Sequence, residues 1–359
     1  MNHGLRITAL IACLAAGCAA PAPARLHFGG EDAPEGRRLL WPPEPEVPRY
    51  LYVGQLLGEA NFRREQGARQ GVLGALRWLA GVVAGEAKPV ELQRPQSGAV
   101  DEAGRIYVTD MSRQAVFAFD PAAGTLEVWE KAEGLANFSA PVAVAAANGT
   151  VYVSDAALGL VARLARDGTP SRAIGRGALQ RPTGIALDPA RGALYVADTA
   201  AHDIKVFNAA GTLERVIGRR GEAPGEFNFP THLAFGDGRL YVADTMNSRI
   251  QVIDAASGRF EREFGARGLY VGNLVRPKGV ALDTEGNVYV AESYHDHLLV
   301  FDRRGRFLMG IGGPGAGTGK FYLPAGVWTD RLNRVFVADM FNGRVMLFQH
   351  LGGGADGEQ

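Results

Sequence analysis

The chain has 359 residues, of which 47% are hydrophobic and 21% charged, a composition typical of a globular protein that can bury a sizeable core. Its 38 basic residues balance 38 acidic residues, so no bulk electrostatic field favours nucleic acid as a partner. Glycine, with 48 residues, exceeds its usual share, as expected of a turn-rich protein built from strands.

The N-terminal sequence, MNHGLRITALIACLAAGCAA, is typical of a secretory signal. It contains one arginine, then an apolar run from Ile7 to Ala16 that is too short to span a bilayer, then small residues. Residues 14–18, LAAGC, resemble a bacterial lipobox, in which a peptidase cuts before a cysteine that carries a diacylglyceryl group. The resemblance implies a signal peptide over residues 1–17 and lipidation of Cys18.

The cysteine content agrees with a lipid anchor. Cleavage before Cys18 removes Cys13, the only other cysteine, so no intramolecular disulfide can form in an oxidising compartment. A plain signal peptide with a chance cysteine is the alternative. Ala19, rather than the aspartate associated with inner-membrane retention, favours the outer membrane by resemblance to known lipoproteins. We expect the protein to contact the membrane through the anchor only.

Residues 18–48 hold seven of the 19 prolines and end in WPPEPEVP. Such a composition predicts an extended, semi-rigid tether that holds the following domain away from the bilayer.

The segment RYLYVGQLL (49–57) alternates apolar residues and predicts a strand. An insertion follows over residues 63–90. Its central part, 68–85, predicts a short helix with an apolar stripe formed by Val72, Leu76, Leu79 and Val83. Glycines weaken this helix, so it needs a surface to pack on: its own domain, a partner or the membrane.

A repeat fills the rest of the chain. RLYVADTMNSRIQVID (239–254) is typical of a strand, a polar turn and a second strand, and similar segments recur every 43 to 48 residues. Each copy has an acid at the end of its first segment: Asp110, Asp155, Asp198, Asp244, Glu292 and Asp339. Each is preceded by a proline and a short apolar run, at Pro95, Pro141, Pro182, Pro230, Pro277 and Pro324. Six repeats of about four strands predict an all-β, six-bladed β-propeller.

The last repeat ends at Phe348 after its third strand, and residues 350–359 predict a flexible tail. We therefore expect the N-terminal strand at 49–57 to complete the last blade and close the ring, which removes exposed strand edges. The propeller then spans residues 49–349.

The repeats resemble the NHL-repeat family of six-bladed β-propellers, whose units contain a strand, an aspartate, a short loop with Asn and Arg, and a strand. Two repeats match all three polar positions: Asp244, Asn247 and Arg249, and Asp339, Asn342 and Arg344. The other four keep the acid alone. The repeated acid is interpreted as structural, because a carboxylate at a strand end can accept backbone N–H groups and fix the turn. The resemblance implies the fold and leaves the activity open.

The candidate binding surface is the end of the propeller that carries the loops before each first strand and the turns between second and third strands. We call it the top face. His232 follows a motif proline by two residues, where most other repeats have Gly or Ala, and is expected at the channel mouth. The predicted binding residues are His232, Lys278, Asn247, Arg249, Tyr294, Phe341, Asn342 and Arg344.

Three histidines from consecutive repeats, His202, His232 and His295, are the candidate metal ligands, since neutral imidazole is a normal zinc ligand. The alternative is that they are separate polar loop residues. Peptide α-amidating lyases resemble these repeats too, but tend to place metal-binding histidines directly after the motif proline. This chain has other residues there: Gln96, Val142, Thr183, Thr231, Lys278 and Ala325.

Haem, P-loop and nucleophile-elbow motifs are absent from the sequence. We therefore expect no catalytic residue and no cofactor. The sequence predicts a lipid-anchored binding or scaffold propeller of the bacterial cell envelope, with an envelope protein or a small ligand on its top face and no nucleic acid. The alternative function is a metal-dependent hydrolase or lyase that uses the three histidines.

Overall fold

The computed structural model describes residues 24–29, 38–63 and 89–352. Within these ranges the chain forms strands, and its helical content is limited to the short 3-10 turns Glu59–Asn61, Thr245–Asn247 and Met340–Asn342. Six sheets surround a central channel. The fold is a six-bladed β-propeller, as the repeat predicts.

Four strands precede the first complete blade: β1 (Arg25–Leu26), β2 (Leu40–Trp41), β3 (Tyr50–Leu56) and β4 (Phe62–Arg63). Blade 1 contains β5 (Pro95–Val100), β6 (Ile106–Asp110), β7 (Ala115–Asp120) and β8 (Thr125–Trp129). A hairpin of β9 (Lys131–Glu133) and β10 (Ala136–Asn137) leads to blade 2, which contains β11 (Pro141–Ala147), β12 (Thr150–Asp155) and β13 (Leu160–Ala165).

Blade 3 contains β14 (Pro182–Asp188), β15 (Ala193–Asp198), β16 (Asp203–Phe207) and β17 (Leu213–Ile217). Blade 4 contains β18 (Pro230–Gly236), β19 (Arg239–Asp244), β20 (Arg249–Asp254) and β21 (Phe260–Phe264). Blade 5 contains β22 (Pro277–Leu282), β23 (Val288–Glu292), β24 (His297–Phe301) and β25 (Phe307–Gly312). Blade 6 contains β26 (Pro324–Thr329), β27 (Arg334–Asp339) and β28 (Arg344–His350), and is completed by β3. Within each blade, neighbouring strands are antiparallel.

The N-terminal strand closes the ring. β3 pairs antiparallel with β28, with Tyr50 opposite His350 and Leu56 opposite Val345. This confirms the predicted closing strand. β28 continues to His350, so the prediction that the tail begins at residue 350 is wrong, because this residue is still paired to β3. Residues 353–359 lie outside the described part of the chain.

The predicted tether is wrong for the residues that the structure describes. β2 pairs with β3 as a fifth strand of blade 6, and the ring of Trp41 contacts Phe348 edge-on at 5.5 Å. Leu26 and Phe28 pack into the apolar layer between blades 6 and 1. Burial of a large apolar side chain contributes about 1.5–3 kcal/mol, which outweighs the tendency of a proline-rich segment to remain extended in water.

Blade 2 differs from the predicted four-strand pattern. Its outer edge forms only two isolated bridges, Val161 with Ile174 and Leu164 with Pro170, in place of a continuous fourth strand. Pro170 has no backbone N–H to donate, so it interrupts the ladder.

Each pair of adjacent blades encloses one apolar layer, and six such layers form the core. In the layer between blades 6 and 1, Phe117, Phe336 and Leu347 are fully buried. The alternation of apolar residues in each strand therefore serves both neighbouring layers.

β3 runs towards the top face. After it, the backbone N–H of Leu92 donates to the carbonyl of Leu57 and that of Glu59 to the carbonyl of Val90. β4 then pairs with β1, with Arg63 opposite Arg25. The predicted helix at 68–85 lies outside the described residues.

Candidate binding face and central channel

The six repeated acids are fully buried and hold the loops between blades. Asp110 Oδ2 accepts the backbone N–H groups of Gln93 and Arg94, at 2.6 and 2.9 Å, directly before Pro95. Glu292 does the same for Val275 and Arg276 before Pro277. The structural interpretation of the repeated acid is therefore confirmed.

The Asn and Arg side chains of the motif serve the same purpose. Arg249 Nε donates to Asp244 at 2.9 Å, its Nη1 to Glu263 at 2.7 Å, and its Nη2 to the carbonyls of Ala223 and Glu226. Its guanidinium is thus buried and its donors are occupied.

Blade 6 repeats this arrangement. Arg344 donates to Asp339 at 2.8 Å and to the carbonyls of Gly317 and Lys320, and Asn342 donates to Asp339 at 2.7 Å. Asn247 likewise donates to Asp244. Four of the predicted binding residues therefore direct these donors to a buried carboxylate of their own blade and to carbonyls of the preceding loop: Asn247, Arg249, Asn342 and Arg344.

The three candidate metal ligands do not come together. Phe229 N–H donates to His202 Nδ1 at 3.2 Å, and the Phe229 ring lies 4.3 Å from the imidazole. His295 Nε2 bonds the carbonyl of Gly268 at 3.2 Å. Across the three described ranges, no group of three or more His, Cys, Asp or Glu side chains is placed to hold a metal ion.

His232 crosses the channel. Its Nε2 lies 3.0 Å from Ser97 Oγ, on blade 1, while Val280 N–H points at Nδ1 from 3.5 Å. Nδ1 is therefore the acceptor, and the neutral ring donates through Nε2 to the serine. Desolvation within the channel lowers the pKa of His232 to about 4.

Small residues let the innermost strands approach around this bond. A Cβ at Gly184 would lie 2.4 Å from the Cα of His232, and a Cβ at Gly326 would lie 2.5 Å from the carbonyl oxygen of Gln96. Below the bond, a cavity of about 370 Å³ follows the first strands towards the opposite face.

That opposite face carries a broader depression of about 640 Å³. Its aspartates hold their own turns: Asp101 accepts the N–H groups of Ala103 and Arg105, and Asp330 accepts those of Leu332 and Arg334. Most of its acidic oxygens are therefore engaged by the protein.

The top face carries a row of exposed apolar side chains on three consecutive blades. Met246, Tyr294 and Phe341 occupy the same position, two residues after the repeated acid, and are 46%, 58% and 45% exposed. Blades 1 to 3 have Ser112, Ala157 and Ala200 at this position. We call the three large side chains the apolar row. The row is specific to blades 4 to 6 and is not required by the fold.

Cations border the apolar row at the channel mouth. The guanidinium of Arg94 lies over the Phe341 ring, 4.9 Å from its centroid, and Tyr322 packs against the same ring at 5.4 Å. Lys278 lies in the mouth, where burial first, and then the charges of Arg276 and Arg94, lower the pKa of its amine. We call Lys278, Arg94 and Arg276 the cationic mouth.

Four residues near this surface were not predicted from the sequence: Met246, Tyr322, Arg94 and Arg276. Comparison of the position two residues after each acid would have indicated Met246. The residue before each motif proline would have indicated the arginines, since Arg94, Arg181 and Arg276 occupy it in blades 1, 3 and 5.

Comparison with known proteins supports this architecture. The profile of a family described as a 6-bladed β-propeller matches residues 186–266 and 273–354. By fold, the chain is one of the six-bladed propellers. Among proteins with curated descriptions, none matches the chain in sequence.

Solved structures with a similar fold have diverse functions. Virginiamycin B lyase from Staphylococcus aureus is 14% identical with a TM-score of 0.53, covering 72% of this propeller chain and 95% of the lyase. A gluconolactonase from Xanthomonas campestris is 18% identical, with a TM-score of 0.55 and coverage of 72% and 86%. A chain of a nidogen/laminin complex is 22% identical, with a TM-score of 0.52 and coverage of 63% and 83%. At these identities the similarity shows the fold alone.

Over residues 24–29, 38–63 and 89–352, no helix is long and apolar enough to cross a bilayer.

Proposed function

We propose that this protein is a lipid-anchored propeller of the bacterial cell envelope that binds an envelope protein or a small ligand on its top face. The observation that carries the proposal is the apolar row. Three large side chains stay exposed at one loop position on adjacent blades, although small residues satisfy the fold at the same position in blades 1 to 3. Large exposed apolar side chains gathered on one face and bordered by charges are typical of interaction sites.

The anchor is proposed from the sequence LAAGC and Cys18. Ala24 lies against Gly124, in the turn between β7 and β8, on the face opposite the top face. Ala24 is six positions after Cys18, so the connection between them spans at most about 20 Å. Such a short connection keeps the opposite side of blade 1 near the membrane and leaves the top face available to a partner.

The alternative of a metal-dependent hydrolase or lyase is not favoured by any geometry among the described residues. His202, His232 and His295 are each engaged by a different part of the protein. The activities named for the similar solved structures belong to those proteins.

The test is capture of envelope components by the purified protein and by two variants. The triple variant Met246→Ala, Tyr294→Ala, Phe341→Ala should lose captured components. Leu332→Ala removes a side chain that is 67% exposed on the opposite face, and should retain them. Equal capture by all three proteins would contradict a binding role for the apolar row.

A further inference from the structure

The channel mouth on the top face concentrates positive charge without a matching acid. Lys278 is half-buried there, while Arg94 and Arg276 are exposed. Both neighbouring charges that act on the Lys278 amine, those of the two arginines, are positive. In the described part of the chain, no carboxylate forms an ion pair with any of these three residues. Burial of a cation is costly without an anion beside it. Lys278 has no such carboxylate partner among the described residues.

The nearest motif acids cannot supply that partner. Glu292, on the same blade as Lys278, accepts the backbone N–H groups of Val275, Arg276 and His295. Asp339, on blade 6, is held by Arg344 together with Asn342 and the N–H of Tyr322. Both carboxylates are fully buried below the face.

Two further contacts border the mouth. The ring of Phe341, on blade 6, lies 4.9 Å from the guanidinium of Arg94 and helps to position this cation. The hydrogen bond between His232 and Ser97 lies across the channel, so a group entering from the top face has a polar floor.

We propose that the cationic mouth is an anion-binding site in which Lys278, Arg94 and Arg276 hold a carboxylate or phosphate group of the bound ligand. The biological role of this site rests on the proposed top-face function. The anionic group of the ligand occupies the mouth, while an apolar part of the same ligand contacts the apolar row. Arginine forks and a lysine ammonium are the protein groups that suit such oxygens.

The experiment titrates the purified full chain with citrate and with inorganic phosphate, measuring heat at low ionic strength. Lys278→Met should weaken citrate binding about tenfold or more, because a hydrogen bond to a charged group contributes enough for such a factor. Arg181→Met is the matched control: this exposed arginine also precedes a motif proline, but on blade 3. It should change the affinity less than about twofold. Thermal unfolding checks that both variants are folded.

A pH profile separates a direct role of the amine from a structural one. The lowered pKa of Lys278 means that its charge is lost at a lower pH than that of an ordinary lysine. Citrate affinity of the wild type should therefore fall as the pH rises towards the ordinary lysine pKa of about 10.4. Lys278→Arg stays charged and should keep its affinity over this range.

Absence of saturable binding of both anions to the wild type, or an equal loss in Lys278→Met and Arg181→Met, would overturn the anion site. These results are independent of the capture experiment with the apolar row. Failure of the anion site is therefore distinguishable from failure of the proposed top-face function.

Discussion

At the scale of single residues, buried charged side chains in this propeller hold the loops between blades through hydrogen bonds. Arg249 connects the repeated acid Asp244 to Glu263 on the outer strand and to two carbonyls of the preceding loop. One guanidinium thereby joins the repeated acid and the outer strand of blade 4 to the loop that precedes the blade. Because Asp244 is fully buried, its charge depends on such donors.

We expect Arg249→Ala to lower the free energy of unfolding by about 3 kcal/mol, since it removes a principal partner of a buried carboxylate. Arg306→Ala is the control. Its ion pair with Asp302 involves an arginine side chain that is 72% exposed, and its loss should cost less than about 1 kcal/mol. Urea unfolding measures both, and similar values for the two variants would refute the structural role of Arg249.

His232 should make stability depend on pH. Its pKa in the folded protein is about 4, below the ordinary value of 6.5, so the unfolded chain binds more protons between these values. Stability is therefore lost as the pH falls from about 6.5 to 4, by roughly 2–3 kcal/mol from this residue. Urea unfolding of wild type and His232→Gln at pH 7 and pH 4.5 isolates the contribution. The wild type should lose more stability than the variant, and parallel losses would show that His232 is not desolvated.

At the scale of the elements, the decisive contact joins the two ends of the propeller. β3 supplies the fourth strand of blade 6 and places Leu56, which is fully buried, in the layer between blades 6 and 1. β2 then covers the outer edge of β3. The N-terminal segment thus closes the ring and protects the edge that closure leaves.

A chain that lacks residues 1–56 should unfold without a single sharp transition, because the edge of β28 and the apolar layer beside it become exposed. A chain that lacks residues 1–37 keeps β2 and β3 and should unfold in one transition at a somewhat lower temperature, since Leu26 and Phe28 are lost. Calorimetry of the two truncated proteins measures the sharpness and the temperature of each unfolding transition. A sharp, unchanged transition in the shorter protein would mean that β3 is not needed for closure.

At the scale of the whole molecule, the proposed anchor and the top face lie at opposite ends. Residues 24–29 pack on the propeller, so only a short connection links this packed segment to the proposed anchor at Cys18. A partner bound to the apolar row would therefore approach from the side of the propeller that faces away from the anchoring membrane.

Cys18→Ser should abolish lipidation and release the protein into the soluble envelope fraction, or leave the uncleaved precursor. Fractionation and the mass of the N-terminal peptide measure the effect. Cys13→Ser is the control, because this cysteine lies in the part expected to be removed. Normal membrane retention of the Cys18→Ser protein would contradict the anchor.

The sequence by itself determined the number of blades, the closing strand and the structural role of the repeated acids. These features depend on local patterns: alternating apolar residues, turn residues and a carboxylate at a fixed distance from a proline. Each repeat carries the same information, so six copies reinforce one conclusion.

Tertiary structure decided the features that depend on which side chains meet. Leu26 and Trp41 pack on the propeller although their segment is rich in proline, because apolar layers at its edge offer burial that composition does not reveal. Arg249 and Arg344 have the residue type of a binding site, yet their guanidiniums donate to buried carboxylates and to carbonyls of the preceding loops.

The candidate site shows the same division. Lys278 and Phe341 were predicted for the top face, but the cationic mouth requires Arg94, a residue of blade 1 that reaches the ring of Phe341 on blade 6 only because the ring is closed. His232 was placed near the channel mouth by its spacing from Pro230, whereas its partner Ser97 comes from the opposite blade, 135 residues away. Sequence spacing determines positions within a blade, while contacts across the channel are determined by closure of the ring.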